Sequence, residues 1–409
     1  MNKEHLQKYA ELIVKSGINI KKDQVLVIRS PLDCAEFTRI IAREAYKAGA
    51  YDVEILWSDQ ESTKIRYMLG TDELFDEVPT WQKEFFLTNV KRDAAFLSIA
   101  ASDPSMMKDV DVKRLQQYTK TFNRELGEYR DRLMNNDNAW CVVAAPIPAW
   151  AIKVFPDLSE VDAMDRLWDM IFKAVRADQE DPVKAWEDHK ENLSKNIKTL
   201  NELNLKELHF KNSKGTDFTL ELPVGHIWVG GSEHTTSNHE FIANIPTEEI
   251  FTTPHKTGIN GKIVSSMPLN FNGSLIDDFE FTVENGRIVD FSAKEGYEQL
   301  KSLVETDEGS HYFGEIALVA YDSPISNMNT LFYNTLFDEN ASCHLAIGKA
   351  YPMTIDGGDK MTKEELIEHG VNDSIMHEDF MIGTADLSIV GTATSGEKVQ
   401  IFKNGNFVI

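Results

Sequence analysis

Residues 25–33 read Val25-Leu26-Val27-Ile28-Arg29-Ser30-Pro31-Leu32-Asp33, an apolar run that ends in polar residues and a proline. A short aliphatic run bounded by turn residues is typical of a buried strand. Upstream of it, Leu6, Tyr9 and Ile13 recur at helical spacing, and Gly17 stops the pattern. The chain is therefore predicted to open with an amphipathic helix followed by a buried strand.

The same alternation continues downstream of this strand. It predicts a helix at residues 34–48, ended by Gly49, and further strands at residues 53–57, 94–100 and 140–145. Strands that alternate with helices form a parallel sheet covered on both faces. Residues 29–33 contain neither a Gly-x-Gly-x-x-Gly fingerprint nor a Walker-type Gly-Lys-Ser/Thr loop, so a dinucleotide site is not expected.

Residues 158–203 are helical in pattern and highly charged, and we interpret them as a bridge between two domains. Pro182 is predicted to open the second helix of this bridge. The charged residues 187–191 are interpreted as a solvated helix face. The apolar face of the first helix is predicted to contain Val161, Met164, Leu167, Trp168 and Ile171.

After residue 205 the sequence changes to short strands separated by turn signals. Asn212-Ser213-Lys214-Gly215 and the Asn-Gly pairs at 260–261, 285–286 and 404–405 predict hairpins. The sequence thus predicts an α/β domain with a parallel sheet and a helical bridge at residues 1–205. It predicts an α+β domain at residues 206–409, with a largely antiparallel, barrel-like sheet and a helix near residues 362–369.

Composition excludes several classes of protein. The 409 residues have a formal net charge of −24, which argues against a nucleic-acid or anionic-membrane partner. The N-terminus has no long apolar core, and no run reaches membrane-spanning length, so we expect a cytoplasmic protein. Three cysteines are too few for a disulfide framework. Cys343, beside His344, is not favoured as a nucleophile because successive strand residues face opposite ways.

Imidazoles and carboxylates recur in apolar, strand-like sequence in the second half. His377 and Asp379 are two residues apart, so an extended chain would present both on one face. A chance surface pair is the alternative, because the chain has 66 acidic residues. Glu249, Glu315 and His344 add three further donors. This O and N set suits Zn, Co, Mn or Mg, and five donors exceed the need of one tetrahedral ion, which favours two ions.

Other residues near these donors permit two readings. Tyr351, seven residues after His344, fits a core tyrosine or a phenolic hydrogen-bond donor, and the pattern alone favours the core. Four histidines flank residues 248–249 and would be solvated in the simplest interpretation or would contact substrate in the other. They are His226, His234, His239 and His255.

Four motifs, in this order, resemble the aminopeptidase T family of dinuclear metallopeptidases, and the resemblance extends over essentially the whole chain. The motifs are Asn244-Ile245-Pro246-Thr247-Glu248-Glu249-Ile250-Phe251-Thr252-Thr253-Pro254, Gly314-Glu315-Ile316-Ala317, His344-Leu345-Ala346-Ile347-Gly348-Lys349-Ala350-Tyr351 and His377-Glu378-Asp379-Phe380-Met381-Ile382-Gly383.

The resemblance implies a homodimeric, cytoplasmic exopeptidase that removes N-terminal residues from short peptides. Two divalent ions, Zn, Co, Mn or Mg, would activate the attacking water. Carried over position by position, Tyr351 would be catalytic, and the metal ligands would be Glu249, Glu315, His344, His377 and Asp379.

Physical chemistry adds two roles to this mechanism. Tyr351 would donate a hydrogen bond to the developing oxyanion. Glu248 is the candidate general base. If Glu249 lies on a strand, however, Glu248 reaches the same side only through a turn or bulge. Because ligand types specify metal chemistry better than substrate, a different metal-dependent hydrolase or isomerase and a non-catalytic metal- or peptide-binding protein remain open.

Overall fold

The structure is a computed structural model that describes residues 2–107, 109–271 and 274–409. Its helices are α1 (Lys3–Leu12), α2 (Ala35–Ala48), α3 (Gln60–Leu69), α4 (Thr80–Lys91), α5 (Val112–Glu125), α6 (Gly127–Met134), α7 (Pro148–Val154), α8 (Glu160–Ala174), α9 (Pro182–Glu202), α10 (Tyr297–Val304), α11 (Thr335–Asp338) and α12 (Lys363–Glu368).

The strands are β1 (Val25–Pro31), β2 (Asp52–Ser58), β3 (Ala95–Ala100), β4 (Trp140–Ala144), β5 (Leu205–Lys211), β6 (Asp217–Glu221), β7 (Val229–Gly230), β8 (Glu233–His234), β9 (Glu240–Phe241), β10 (Asn244–Ile245), β11 (Glu249–Thr252), β12 (Ile259–Val264), β13 (Leu269–Phe271), β14 (Ser274–Glu284), β15 (Arg287–Glu295), β16 (Phe313–Val319), β17 (His344–Gly348), β18 (His377–Met381), β19 (Ser388–Ala393), β20 (Lys398–Lys403) and β21 (Asn406–Phe407).

The chain divides into two compact units. The first contains the described residues up to Asp188 together with Ser232–Pro246, and the second contains His189–Gly231 and Thr247–Ile409. The predicted domains, 1–205 and 206–409, differ from these units at residues 189–205 and 232–246. Among the described residues, no helix is both long and apolar enough to cross a membrane.

The first unit is built on a parallel sheet of order β10-β4-β3-β1-β2. The predicted strands and the predicted helix at residues 34–48 are confirmed, and Gly49 ends that helix in the left-handed conformation, φ 102°. Apolar residues of β1 pack with Phe86 and Val90 of α4. The prediction of an α/β unit with a parallel sheet is therefore confirmed.

The second unit contains two antiparallel sheets. A nine-stranded sheet follows the order β13-β14-β12-β6-β5-β19-β20-β21, with β15 paired to β14. A five-stranded sheet has the order β18-β17-β16-β11-β7. Phe380 of β18 packs 5.2 Å from Phe281 of β14, measured between ring centroids, so the two sheets share one apolar core. The predicted α+β fold with largely antiparallel strands is confirmed, as is the helix near residues 362–369, which appears as α12.

Two local predictions were wrong. Asn260-Gly261 does not form a turn but lies inside β12, because Gly261, at φ 129°, lets the backbone of Phe218 come close: a Cβ there would lie 2.7 Å from the Phe218 Cα. Val161 was expected on the buried face of α8 but is 70% exposed, whereas Leu167, Trp168 and Ile171 are buried as expected. The hairpin turns at 212–215, 285–286 and 404–405 are confirmed.

Candidate metal centre

One face of the five-stranded sheet carries all five candidate ligands. Side chains alternate between the two faces along a strand, and residues directly opposite on neighbouring strands share a face. Ala346 of β17 lies opposite Glu315 on one side and opposite Asp379 on the other, so the three share a face. The same register places the remaining three ligands on that face: Glu249 on β11, His344 on β17 and His377 on β18.

The two faces of this sheet differ in character. The residues between the ligands are small, since Ala317, Ala346 and Gly348 lie opposite His344, Glu315 and His377 respectively. The other face presents large apolar side chains to the core, among them Ile316, Leu345 and Phe380. Small neighbours leave space above the sheet where donor atoms from four strands converge.

A β-bulge at Gly314 turns Glu315 towards the ligand face. Phe313 lies opposite Ile347 and is buried in the core, while Glu315, two residues later, lies opposite Ala346 on the other face. A regular strand would put Phe313 and Glu315 on the same face. The extra residue of the bulge instead places Glu315 on the opposite face. The bulge needs glycine, because a Cβ on Gly314 would lie 2.2 Å from the carbonyl oxygen of Lys349.

Both histidines are oriented by backbone carbonyl groups. The Nδ1 of His344 lies 3.1 Å from the Ser342 oxygen, and the Nδ1 of His377 lies 2.7 Å from the Lys349 oxygen. A carbonyl oxygen only accepts, so each Nδ1 carries a hydrogen, and in the neutral ring the lone pair lies on Nε2. This is the arrangement of histidines that bind metals through Nε2.

The donors form two groups of three that share Glu315. Glu249, Glu315 and His344 form one group, and Glu315, His377 and Asp379 form the other, with the ligand atoms of each group within 4.8 Å of one another. The Nε2 of His344 is 3.6 Å from Oε1 of Glu315, and the Nε2 of His377 is 3.7 Å from Oε2. Each oxygen of the shared carboxylate thus faces a different group.

Electrostatics agree with a cation site. Burial and the neighbouring charges of Asp379 and Glu249 raise the pKa of Glu315. Burial alone would lower the pKa of His377, but the carboxylates of Asp379 and Glu315 raise it to about 10. The Oδ1 of Asp379 is buried without a hydrogen-bond partner among the described residues. Divalent cations would neutralise the crowded carboxylates, bind the imidazoles in their neutral form and satisfy the buried oxygen of Asp379.

Comparison with known families connects this geometry to a protein class. The family model described as thermophilic metalloprotease (M29) matches residues 2–407. The chain belongs to the M29 family. The resemblance inferred from its four motifs is therefore confirmed.

Relatives of this M29 chain match it along its full length. Aminopeptidase AmpS of Bacillus subtilis is 46% identical over 404 residues, covering 99% of this chain and 98% of the relative. Aminopeptidase T of Thermus thermophilus is 35% identical over 407 residues, covering 100% and 99%. The solved structure of wild-type AmpT from T. thermophilus matches with a TM-score of 0.93 at 34% identity, and each chain is covered completely.

A second solved structure shares only the fold with the M29 chain. It is 2,5-dihydroxypyridine dioxygenase from Pseudomonas putida KT2440, with a TM-score of 0.52 at 12% identity, covering 99% of this chain and 96% of that one. At such low identity the architecture is common while the chemistry is not implied.

Tyr351 lies beside the candidate ligands of the M29 chain. It follows β17, and its ring centroid is 4.8 Å from that of His377 and 6.1 Å from that of Phe251. Burial, followed by the charges of Glu315 and Asp379, raises its pKa well above the ordinary value. The phenol therefore keeps its hydrogen at neutral pH and can donate it.

Glu248 precedes β11, so its side chain does not follow the alternation of faces along that strand. It is 7% exposed, and its backbone N–H donates to Oδ1 of Asn340 at 2.7 Å. Its Oε2 lies 3.6 Å from Nε2 of His189. The prediction that residues 187–191 form a solvated face was therefore wrong at His189, whose side chain is only 12% exposed.

Glu339 is a further carboxylate of the site that the sequence interpretation missed. Burial and then the charges of Glu249 and Asp379 raise its pKa well above the ordinary value. It follows α11, where the carboxylate of Asp338 accepts the backbone N–H groups of Phe332 and Asn334. The sequence did contain a signal for Glu339, because Asp338 and Glu339 are the only charged residues between Asp322 and His344.

The remaining residues singled out from the sequence lie apart from the donor groups. Within the described residues, neither donor group includes any of the four histidines that flank residues 248–249 in the sequence. Burial raises the pKa of the Cys343 thiol to about 12, and its sulfur contacts the backbone of Val319, so it is a buried thiol as predicted. The flanking histidines are His226, His234, His239 and His255.

Proposed function

We propose that this chain is a metal-dependent aminopeptidase that removes N-terminal residues from short peptides. The class of enzyme is a metalloaminopeptidase, a hydrolase, as its M29 membership and its aminopeptidase relatives support. The observation that carries the proposal is the pair of three-residue donor groups that share Glu315. Each group has three protein donors and so leaves positions open for water or substrate.

Two divalent ions per chain are the proposed cofactors, with Glu249, Glu315 and His344 holding one and Glu315, His377 and Asp379 holding the other. Zn, Co, Mn and Mg all suit these oxygen and nitrogen donors. Such ions supply Lewis acidity, which polarises the scissile carbonyl and acidifies the attacking water. Glu339 is an additional donor, because its carboxylate interacts with members of both groups.

Three groups of the chain act on the substrate in this proposal. Glu248 takes a proton from the attacking water and passes it to the nitrogen of the leaving amine. Tyr351 donates its phenolic hydrogen to the oxyanion that develops on the carbonyl. Carboxylates of the site that bound ions leave unneutralised would attract the positively charged amino terminus of a peptide, which favours cleavage at that end.

The test combines metal analysis with turnover. Metal content per chain would be measured after mild purification, and hydrolysis of Leu- and Arg-p-nitroanilide would be followed before chelation, after it and after metal is restored. We expect about two ions per chain and chelator-sensitive release of the N-terminal residue. His377→Ala should abolish turnover and lower the metal content, whereas His209→Ala, which removes a surface histidine paired with Asp217, should change neither.

Other outcomes would select the alternatives. Bound metal without turnover of either anilide or of short peptides would indicate another metal-dependent hydrolase or isomerase, or a non-catalytic binding protein. Absence of metal, or turnover indifferent to chelator and to His377→Ala, would contradict the proposal. Homodimer formation and a cytoplasmic location stay predictions, and sedimentation of the purified chain would check the first.

A further inference from the structure

The peptide group that joins Thr247 to Glu248 is held from both sides. Its carbonyl oxygen lies 2.8 Å from Nε2 of His189, and its N–H donates to Oδ1 of Asn340 at 2.7 Å. Because the carbonyl can only accept, Nε2 of His189 carries the hydrogen and donates it. A single peptide plane with both of its polar groups bonded to side chains cannot rotate without losing both bonds.

The two holding residues come from distant parts of the second unit. His189 lies on α9, and Asn340 follows Glu339. Asn340 is 0% exposed, and its Nδ2 donates to the Leu336 oxygen at 3.0 Å, which fixes the orientation of its amide. The side chain of His189 is 12% exposed and that of Glu248 is 7% exposed. Both bonds to the peptide are thus shielded from water.

The same imidazole also faces the carboxylate. Its Nε2 is 3.6 Å from Oε2 of Glu248, which is beyond a normal hydrogen bond but close enough for the N–H dipole to favour that position of the oxygen. Glu248 lies outside β11, so strand geometry does not direct its side chain. His189 donates to the carbonyl oxygen of Thr247, in the peptide group that precedes Glu248, and it also faces the Glu248 carboxylate.

We propose that His189 is a positioning residue, which together with Asn340 holds Glu248 in the orientation that proton transfer requires. The inference rests on the proposed function, in which Glu248 is the general base. Among the described residues, His189 belongs to neither donor group. Removing its N–H should therefore lower kcat while metal content and KM stay unchanged, because a misplaced base affects the chemical step rather than binding.

The experiment compares two amides of different length at this position. The amide N–H of His189→Gln reaches the place of Nε2, whereas His189→Asn is shorter and cannot reach the Thr247 oxygen. Both variants are polar, so neither places an apolar group in a site built for a donor. We expect kcat to fall about 10- to 100-fold in His189→Asn and to recover most of its value in His189→Gln. Metal content and KM should stay within about twofold.

A control and a double variant complete the test. Lys198→Ala, on the same helix with a side chain that is 76% exposed, should leave kcat unchanged. In a Glu248→Gln background, His189→Asn should cause no further loss, because the residue it positions has already been disabled. Asn340→Ala should mimic His189→Asn, since it frees the other side of the same peptide.

The outcomes separate this inference from the proposed function. If Glu248→Gln is far slower than the wild type, but His189→Asn keeps full kcat, loses metal or adds its loss to that of Glu248→Gln, the positioning role is wrong and the function stands. If Glu248→Gln keeps full activity, the assignment of the base fails and the inference fails with it.

Discussion

At the scale of single residues, Gly314 connects the two ligand groups. Its bulge directs Glu315 to the ligand face, and it lies against the carbonyl oxygen of Lys349, which accepts the hydrogen of His377 Nδ1. One small residue therefore determines the direction of the shared carboxylate and of an imidazole on a different strand.

Gly314→Ala should disable the site and weaken the fold. The new Cβ would lie 2.2 Å from the Lys349 oxygen, so the backbone must move and His377 loses its orienting acceptor. We expect loss of bound metal and a fall in the free energy of unfolding of at least about 1–3 kcal/mol, as for other overpacked sites. Gly127→Ala, where a Cβ meets no atom within 4 Å, is the control. Normal metal content in Gly314→Ala would refute the argument.

Tyr351→Phe tests the phenolic hydroxyl separately from the ring. The ring contacts with His377 and Phe251 remain, so metal content should not change. Loss of a well-placed oxyanion donor lowers kcat by about 10²–10³-fold. Tyr312→Phe, at a tyrosine that contacts Lys256 and Arg287 instead, should keep its kcat. An undiminished kcat in Tyr351→Phe would assign this tyrosine to packing alone.

At the scale of elements, the alternation of β17 separates the site from the core. Ala346 lies between Glu315 and Asp379 on the ligand face, and Ile347 faces the core. Cross-strand Cβ atoms are about 4.5–5.5 Å apart, so a side chain at position 346 is the neighbour of both carboxylate-bearing residues.

Ala346→Val should remove metal while keeping the sheet. Its two added methyl groups occupy the space between the carboxylates, and valine suits a strand. We expect metal content to fall below one ion per chain with the circular dichroism spectrum unchanged. The matched control, Ile347→Val, alters the other face and should lower stability by about 0.5–1.5 kcal/mol with metal retained. Equal metal loss in both variants would show that the face does not matter.

Asp307 joins the turn before β16 to the segment that leads into β18. Its carboxylate accepts hydrogen bonds from the backbone N–H of Ile375 and from the side-chain hydroxyl of Ser374. Partial burial would raise the pKa of Asp307, but the hydrogen bonds from Ile375, Ser374 and Ser310 lower it below the ordinary value. Its ionised form is thus favoured by folding.

This lowered pKa gives a pH dependence with a definite sign. The stabilisation by Asp307 is fully present above the pKa of the unfolded chain and is lost as pH falls through the lower, folded pKa. Asp307→Asn should therefore reduce the unfolding temperature more at pH 7 than at pH 3, whereas Asp290→Asn, at an exposed position of β15, should show no such difference. Thermal unfolding at both pH values measures this effect. A difference in unfolding temperature between the wild type and Asp307→Asn that does not shrink from pH 7 to pH 3 would contradict it.

At the scale of the whole molecule, the donors belong to one unit. All five candidate ligands, Glu339, Tyr351 and Glu248 lie in the second unit, although the chain leaves and re-enters it at residues 232–246. Nine of the eleven histidines lie at or beyond His209, and seven of these nine belong to the second unit, because His234 and His239 lie within residues 232–246.

Metal removal should destabilise this second unit. An ion that binds only the folded state adds about 2.7 kcal/mol when its free concentration is about 100 times Kd. The four buried carboxylates Glu249, Glu315, Glu339 and Asp379 repel one another without cations. Calorimetry with and without chelator should show a lower unfolding temperature after chelation in the wild type and a smaller decrease in His377→Ala, which keeps only the group of Glu249, Glu315 and His344. The same shift in both would place the stabilising ion elsewhere.

The sequence by itself determined the order and type of most elements. Helix and strand periodicity, glycine stops and Asn-Gly turns are local, so they predicted the parallel sheet, the antiparallel unit and the hairpins at 285–286 and 404–405. The spacing of His377 and Asp379 predicted a shared strand face, because pleating is a local property. The four motifs identified the family through residues that stand close together in the chain.

Only the tertiary structure decided the relations between distant segments. Strand register brought five donors onto one face and made Glu315 common to two groups, and a bulge at Gly314 was needed to turn that carboxylate. His189 was assigned to a solvated helix face and Glu339 was not singled out, since their partners lie far away in the sequence. Asn260-Gly261 became part of a strand because close approach by Phe218 overrode the local turn preference. Such contacts depend on how strands pair, which no local pattern encodes.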